Sequence, residues 1–168
     1  ILALTETKHS NIESRINHFK DKYYTFFKRP NMACGGICVL ISKRFKVVMR
    51  PDLEITSSEA ANIENIWLEI QQAQSIDKFI VGLVYRHPNG DTSYFINKLE
   101  QTINQVCKEN KNIVILGDMN IDLLKSNNQS TQYKDSLFSN NILPVITMPT
   151  RITDTTATLI HHILVQLK

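Results

Sequence analysis

The residues with the clearest chemical potential follow a short apolar segment. Ile113–Leu116 is rich in β-branched residues and too short for a helix, so it predicts a buried strand. Gly117 allows a turn, and Asp118 and Asn120 follow at spacing i, i+2, which puts both on one face if strand geometry persists. Such a pair suits a hard cation, a water or a phosphate. The pattern is equally typical of an ordinary turn, so both interpretations stay open.

Polar residues also end two other predicted strands, and another polar segment lies near the end of the chain. These residues are Glu6, Tyr85 with Arg86, and Thr150 with Arg151. Catalytic groups are often found on loops at strand ends, where a rigid scaffold holds them. If these segments converge with the central pair, they can bind Mg²⁺ through oxygens, clamp a phosphate through arginine and orient a water for in-line attack.

The elements that must position these residues alternate between strands and helices. Apolar and aromatic runs predict about eight strands, at residues 1–4, 23–28, 37–42, 45–49, 66–70, 79–85, 113–116 and 159–165. The first of these is expected to be buried, and strands 37–42 and 45–49 are expected to pair through a tight turn. Three helices are predicted: one after residue 10, one capped by Asp91 or Thr92, and one over about 131–140. This order favours an α/β sandwich with a largely antiparallel pair of sheets.

Composition indicates an ordinary globular protein. The 168 residues are 42% hydrophobic and 21% charged, with a net charge of +3, which permits a polyanionic partner without requiring one. Three cysteines without metal-type spacing indicate free thiols in a reducing compartment, so we expect an intracellular protein, nuclear or cytoplasmic, that is not secreted. No apolar run is long enough to span a membrane, and no secretory signal is recognisable. We expect one domain over residues 1–168, cut from a longer polypeptide because both ends are apolar.

Other residues suggest weaker alternatives. His161 and His162 are adjacent, but neighbours on a strand point to opposite faces, so a shared metal site is disfavoured. A basic cluster could contact a nucleic-acid backbone, although a solvated hairpin face explains it more simply; it comprises Lys43, Arg44, Lys46 and Arg50. The sequence contains no P-loop and no nucleophile with a base partner in a recognisable motif.

The ordered set of motifs resembles the endonuclease/exonuclease/phosphatase superfamily, and specifically the endonuclease domain of non-LTR retrotransposons. The matching segments span nearly the whole chain and lie at residues 4–7, 35–41, 84–86, 117–124, 149–153 and 158–163. The resemblance implies a four-layer αββα sandwich that cleaves phosphodiesters with Mg²⁺ or Mn²⁺ and acts on DNA. In the retrotransposon branch, this cut nicks target DNA, and the domain is fused to a reverse transcriptase.

The resemblance also implies a role for individual residues. Glu6 corresponds to the metal ligand, and Asp118 to the residue that orients or deprotonates the attacking water. Asn120 corresponds to the residue that assists at the phosphate, and Tyr85 to the one that contacts the scissile phosphate. Thr150 corresponds to a position on the DNA-binding surface.

One position departs from the family pattern inside the chain. His161 stands where the family has an aspartate, and an imidazole cannot supply that permanent negative charge. The family's early asparagine motif and late Ser-Asp-His segment are expected beyond the two ends of the chain. We therefore expect the fold in outline, incomplete at both termini, with weak or no activity. The alternatives are a non-catalytic remnant that binds nucleic acid weakly, and a phosphatase of the same superfamily.

Overall fold

The computed structural model describes residues 1–8, 12–28, 35–57, 62–72 and 75–167. Within these residues the helices are α1 (Ile12–Ile16), α2 (Thr92–Lys108) and α3 (Asn128–Ser139), with 3₁₀ turns at Asn17–Phe19 and Pro51–Leu53. The strands are β1 (Leu2–Leu4), β2 (Tyr23–Lys28), β3 (Ile37–Ser42), β4 (Phe45–Met49), β5 (Ile63–Gln72), β6 (Lys78–Arg86), β7 (Asn112–Asp118), β8 (Ile142–Pro144), β9 (Arg151–Ile152), β10 (Ala157–Thr158) and β11 (His161–Gln166).

Most strands belong to two sheets. The smaller sheet has the order β1-β3-β2, and all its strands are antiparallel. The larger sheet has the order β4-β5-β6-β7-β11-β8. Its strands are antiparallel except for β6 and β7, which run parallel because α2 connects them as a crossover. Strands β9 and β10 form a separate short hairpin.

In the described part of the chain, three apolar cores separate four layers. Cys38 and Leu40 of β3 pack with Ile16 of α1 on the outer face of the small sheet. The alternate residues of β3, among them Val39, face the large sheet, where Leu83 of β6 belongs to the same core. Helices α2 and α3 cover the other face of the large sheet in the third core. The predicted four-layer αββα sandwich is therefore confirmed, whereas the assignment of residues 1–168 to one domain stays a prediction.

Helix α2 illustrates why part of the fold was predictable. The Asp91 side chain accepts a hydrogen bond from the backbone N–H of Tyr94 at 3.0 Å, so it is the N-cap. The apolar residues at helical spacing are buried against the large sheet, as predicted; they are Phe95, Leu99, Ile103 and Val106.

Two predictions about the strands are wrong, and three short strands were missed. β4 does not pair with β3, because β1 and β2 occupy both edges of β3, and β4 pairs with β5 in the other sheet. β1 is not a buried strand, since Leu2 and Leu4 are 53% and 40% exposed. The short strands β8, β9 and β10 were not predicted, because two or three residues carry no periodic signal. Helix α3 also begins earlier than predicted, since Asn127 caps it through Ser130.

Two expectations about location can be compared with the structure. Among the described residues, no helix is long and apolar enough to cross a membrane. Cys38 is buried and Cys107 half-buried, and both are free thiols, while Cys34 lies outside the described residues.

Candidate active site

Strand register brings three of the predicted residues side by side. Asp118, the last residue of β7, pairs with Tyr85 of β6 on one side and with His161 of β11 on the other. Paired residues direct their side chains to the same face of a sheet. That face looks toward the small sheet, since Tyr85 belongs to the core between the two sheets. The Tyr85 hydroxyl donates a hydrogen bond to Glu6 Oε1 at 2.9 Å, so the segment after β1 reaches the same point.

Gly117 allows the close approach of β6 and β7 at this site. Its φ is +147°, and a Cβ on it would lie 1.8 Å from the carbonyl oxygen of Val84. Only glycine fits this position without a shift of the neighbouring strand.

Asp118 is buried and held from two directions. Its Oδ1 accepts the backbone N–H of Asn120 at 3.1 Å, and its Oδ2 lies 3.6 Å from Nε2 of His161. Burial raises the pKa of Asp118, and the charge of Glu6 adds to this effect, whereas the Asn120 hydrogen bond, His161 and Arg151 act against it. A carboxyl group whose pKa is raised toward neutrality is better suited to accept a proton.

Asn120 follows the strand in a left-handed conformation, with φ +49°, which asparagine adopts more readily than most residues. Its side-chain Nδ2 donates to the carbonyl oxygen of Arg86 at 2.7 Å. The amide group is thereby fixed next to Asp118. The pattern at residues 117–120 is thus both an ordinary turn and a rigid arrangement of polar groups.

Arg86 occupies a different place from the one predicted. It is only 2% exposed, and its Nε and Nη2 donate to the carbonyl oxygens of Met119 and Asn120, each at 2.8 Å. Its Nη1 donates to the carbonyl oxygens of His87 and Gly90. The guanidinium therefore braces the loops behind the site, and the prediction that it clamps a phosphate does not fit this geometry.

Thr150 also has a structural role that the sequence did not indicate. Its hydroxyl oxygen accepts the backbone N–H groups of Ile160 at 3.2 Å and His161 at 3.1 Å. With both lone pairs used, its own proton is donated to Nδ1 of His161 at 3.0 Å. The remaining proton of a neutral imidazole then lies on Nε2, the nitrogen that faces Asp118. Thr150 thus orients His161, and its predicted contact with DNA stays a prediction.

An open cleft of about 500 Å³ is lined by four of the predicted residues, Glu6, Asp118, Asn120 and His161, whereas Tyr85, Arg86 and Thr150 are not among its lining residues. Two cationic residues also line it. Arg151 was expected there as part of the polar segment with Thr150, and it is exposed. Lys8 was not predicted as a site residue; its Nζ lies 3.6 Å from Glu6 Oε2, and proximity to Glu6 in the sequence was the only signal for it. The cleft therefore combines carboxylates with positive charge at its rim, which is suited to a phosphate ester.

The residues of the cleft fit a weakly held hard cation better than a closed metal centre. Among the described residues, no group of three or more histidine, cysteine or acidic side chains is arranged to hold a metal ion. Glu6 presents a carboxylate that is 43% exposed to the cleft, and Asp118 is nearby. Mg²⁺ keeps several waters and is usually held by one or two carboxylates together with substrate phosphate, which this pair of acids satisfies.

His162 points away from the cleft, as strand alternation predicts. It is 2% exposed; its Nε2 donates to the carbonyl oxygen of Leu159 at 3.1 Å, and Nδ1 accepts the Tyr133 hydroxyl at 3.3 Å. Burial lowers the pKa of His162 from 6.5 to about 4, so it is neutral in the folded protein. His161 and His162 therefore do not share a ligand.

The buried His162 predicts a pH dependence of stability. The unfolded chain binds a proton below the ordinary pKa of 6.5, whereas the folded protein binds it only near 4. Stability is thus fully present above pH 6.5 and falls as the pH drops through this window, by up to about 3 kcal/mol at 1.4 kcal/mol per pKa unit. The raised pKa of Asp118 has the opposite effect, because its contribution to stability decreases as the pH rises.

We expect His162→Gln to remove most of the His162 contribution. Urea unfolding at pH 7 and at pH 4.5 measures how the free energy of unfolding of each protein changes with pH. Asp118 contributes to both proteins, so the difference between them reports on His162. The matched control is His18→Gln, because His18 is an exposed histidine outside the cleft. An equal loss of stability toward low pH in wild type and His162→Gln would contradict this assignment.

Comparison with known proteins identifies the fold. No model of a protein family and no curated protein sequence matches this chain. The catalytic domain of human Nocturnin superposes with a TM-score of 0.67 and 12% identity, over 98% of this chain and 68% of that one. The endonuclease domain of TRAS1, a telomere-specific non-LTR retrotransposon, superposes with a TM-score of 0.67 and 9% identity, over 99% of this chain and 85% of that one. TDP2 of D. rerio, in complex with a single-strand DNA product, superposes with a TM-score of 0.66 and 8% identity, over 98% of this chain and 69% of that one.

The architecture and these superpositions define the class of fold. The chain has the fold of the endonuclease/exonuclease/phosphatase superfamily, as the sequence motifs predicted. The TM-scores of 0.66 and 0.67 establish the fold, whereas at sequence identities of 8–12% the reaction has to be argued from the cleft.

Proposed function

We propose that this chain is a divalent-metal-dependent DNA endonuclease domain of the non-LTR retrotransposon type, with weak activity. The observation that carries the proposal is the convergence of Glu6, Asp118 and Asn120 on one cleft with cationic residues at its rim, with the Tyr85 hydroxyl donating to Glu6 from behind. The retrotransposon branch is supported by the motif at residues 149–153, by the extended motif at residues 117–124 and by the similarity in fold to the TRAS1 endonuclease domain. Within a retrotransposon reading frame, the domain would be fused to a reverse transcriptase.

The side chains of the cleft can divide the work of phosphodiester hydrolysis. Asp118 accepts a proton from the attacking water, and its raised pKa suits that step. The Asn120 amide, held by the Arg86 carbonyl, contacts the phosphate. The Tyr85 hydroxyl donates to Glu6 Oε1 at 2.9 Å and so orients the carboxylate, and its contact with the scissile phosphate, which the family resemblance implies, stays a prediction. Mg²⁺ or Mn²⁺, held at Glu6, would neutralise negative charge on the phosphate.

His161 limits this chemistry. It occupies the position of a family aspartate and faces Asp118 Oδ2 at 3.6 Å. A neutral imidazole contributes no negative charge, and a protonated one repels a cation. The proposed activity is therefore weak in the wild-type protein.

Plasmid nicking with Mg²⁺ tests the proposal. We expect slow conversion of supercoiled DNA to open circles, and its loss in both Glu6→Ala and Asp118→Ala, because each removes a carboxylate of the cleft. Lys125→Ala is a matched control on an exposed residue outside the cleft. Nicking that survives both variants would contradict the proposal, and its absence from the wild type would favour a non-catalytic remnant.

A phosphatase is the second candidate, since the superfamily includes phosphatases. Release of inorganic phosphate from phosphomonoesters, with DNA left intact, would favour it. A reverse-transcriptase reading frame immediately downstream in the genome would support the retrotransposon origin.

A further inference from the structure

A buried couple of a carboxylate and an imidazole, Glu64 and His87, lies behind the cleft. Glu64 of β5 is 5% exposed, and its Oε2 accepts the backbone N–H of Gly36 at 2.7 Å. Its Oε1 lies 3.2 Å from Nε2 of His87, which is also buried. Burying a carboxylate is costly unless it is well partnered, so its partners indicate what it stabilises.

The first connection from Glu64 to the cleft runs through the backbone. The carbonyl oxygen of Gly36 accepts the N–H of Thr7 at 3.0 Å, and that of Gly35 accepts the N–H of Lys8 at 2.8 Å. Gly35 has φ +112°, and a Cβ on it would lie 2.2 Å from Glu64 Oε1. Glu64 therefore fixes the glycine pair, and the glycine pair fixes the two residues that follow Glu6.

The second connection runs through side chains. The ring of His87 packs edge-on against the ring of Tyr85, with centroids 4.6 Å apart. The Tyr85 hydroxyl donates to Glu6 Oε1, and Tyr85 is also the register partner of Glu64. The Glu64–His87 couple is thus connected to Glu6 in two ways: through the backbone of the two residues that follow Glu6, and through Tyr85, which hydrogen-bonds the Glu6 carboxylate.

Glu6 needs such support because of its conformation. Glu6 and Lys8 have φ values of +52° and +54°, in the left-handed region that residues with a Cβ adopt only when the surrounding structure holds them there. We infer that Glu64 and His87 are positioning residues that hold the Glu6 carboxylate in the cleft. The contacts that hold Glu6 do not depend on the proposed function, whereas their consequence for cation binding rests on it.

Hydrogen exchange of the Thr7 and Lys8 amides tests the positioning directly. In Glu64→Ala we expect both amides to exchange at least about 10-fold faster, since their acceptors lose their anchor. Glu64→Gln keeps an oxygen for the Gly36 N–H and should restore slow exchange. Asn65→Ala is the matched control: Asn65 is the next residue of β5, is equally buried, and hydrogen-bonds Ile55 instead. Unchanged exchange in folded Glu64→Ala, or equal acceleration in Asn65→Ala, would overturn the inference.

Mn²⁺ binding, followed by electron paramagnetic resonance, tests the consequence. We expect the dissociation constant to rise about 10-fold in Glu64→Ala and in His87→Phe, as for other residues that orient a metal ligand. It should stay unchanged in Asn65→Ala. Binding that depends on Glu6 but is unaffected in folded Glu64→Ala would overturn the inference. If the amides exchange faster in Glu64→Ala but the wild-type protein does not bind Mn²⁺ through Glu6, the positioning of Glu6 is supported and the proposed function is contradicted.

Discussion

His161→Asp is expected to raise the rate of Mg²⁺-dependent plasmid nicking by about 10²-fold, the upper end of the effect that a residue around a metal ion has on metal affinity or activity. The wild-type imidazole faces Asp118 Oδ2 at 3.6 Å and is held there by Thr150. An aspartate at this position adds a permanent negative charge beside the carboxylates of Asp118 and Glu6. Three carboxylates attract a divalent cation more strongly than two carboxylates and an imidazole.

The control for this variant is His161→Asn, which has nearly the same shape as aspartate without its charge. We expect His161→Asn to leave nicking near the wild-type rate. Without a divalent cation, His161→Asp should be less stable than His161→Asn at neutral pH, because the new carboxylate lies beside the buried Asp118. Mg²⁺ should then raise the melting temperature of His161→Asp selectively, since a bound ion stabilises the folded state. Equal rates for the two variants would contradict the charge explanation.

Arg86→Leu is expected to destabilise the protein by about 3–5 kcal/mol, because several buried carbonyl acceptors lose their donor and each unsatisfied buried group costs about 1–3 kcal/mol. The guanidinium donates to the carbonyl oxygens of His87, Gly90, Met119 and Asn120, all in the loops behind the cleft. A leucine leaves these acceptors without their donor. Urea unfolding at neutral pH measures the loss.

Two variants separate this effect from simple loss of charge. Arg86→Lys keeps a positive charge but not the planar array of donors, so we expect it to recover little of the stability. Arg151→Leu makes the same substitution on an exposed arginine and should change stability by no more than about 0.5 kcal/mol. A loss below about 1 kcal/mol in Arg86→Leu would show that its hydrogen bonds do not brace the site.

Local signals made much of the fold predictable. The apolar run that became β7 and the capped, periodic segment that became α2 each carry their signal within a few residues. The path of β4 was not predictable in this way. A short link after β3 suggests a hairpin, but β1 and β2 occupy both edges of β3, and β1 lies far away in the sequence.

The candidate site was predictable to a similar extent. Glu6, Asp118 and Asn120 stand at strand ends, so their types and places in the chain pointed to them. Arg86 and Thr150 were identified as notable residues, but only the structure shows that their polar atoms are turned to the protein itself. Glu64 gave no signal, because its importance depends on Gly36 and His87, which meet it only in the folded chain.

A metal-dependent cleft is tested most directly by comparing nicking by His161→Asp with nicking by the double variant His161→Asp/Glu6→Gln, in Mg²⁺ and with folding checked by circular dichroism. We expect a gain of about 10²-fold in the single variant and its loss in the double variant, because both acids serve one metal-dependent cleft. A folded His161→Asp protein without any gain, or a gain that persists without the Glu6 carboxylate, would contradict this expectation.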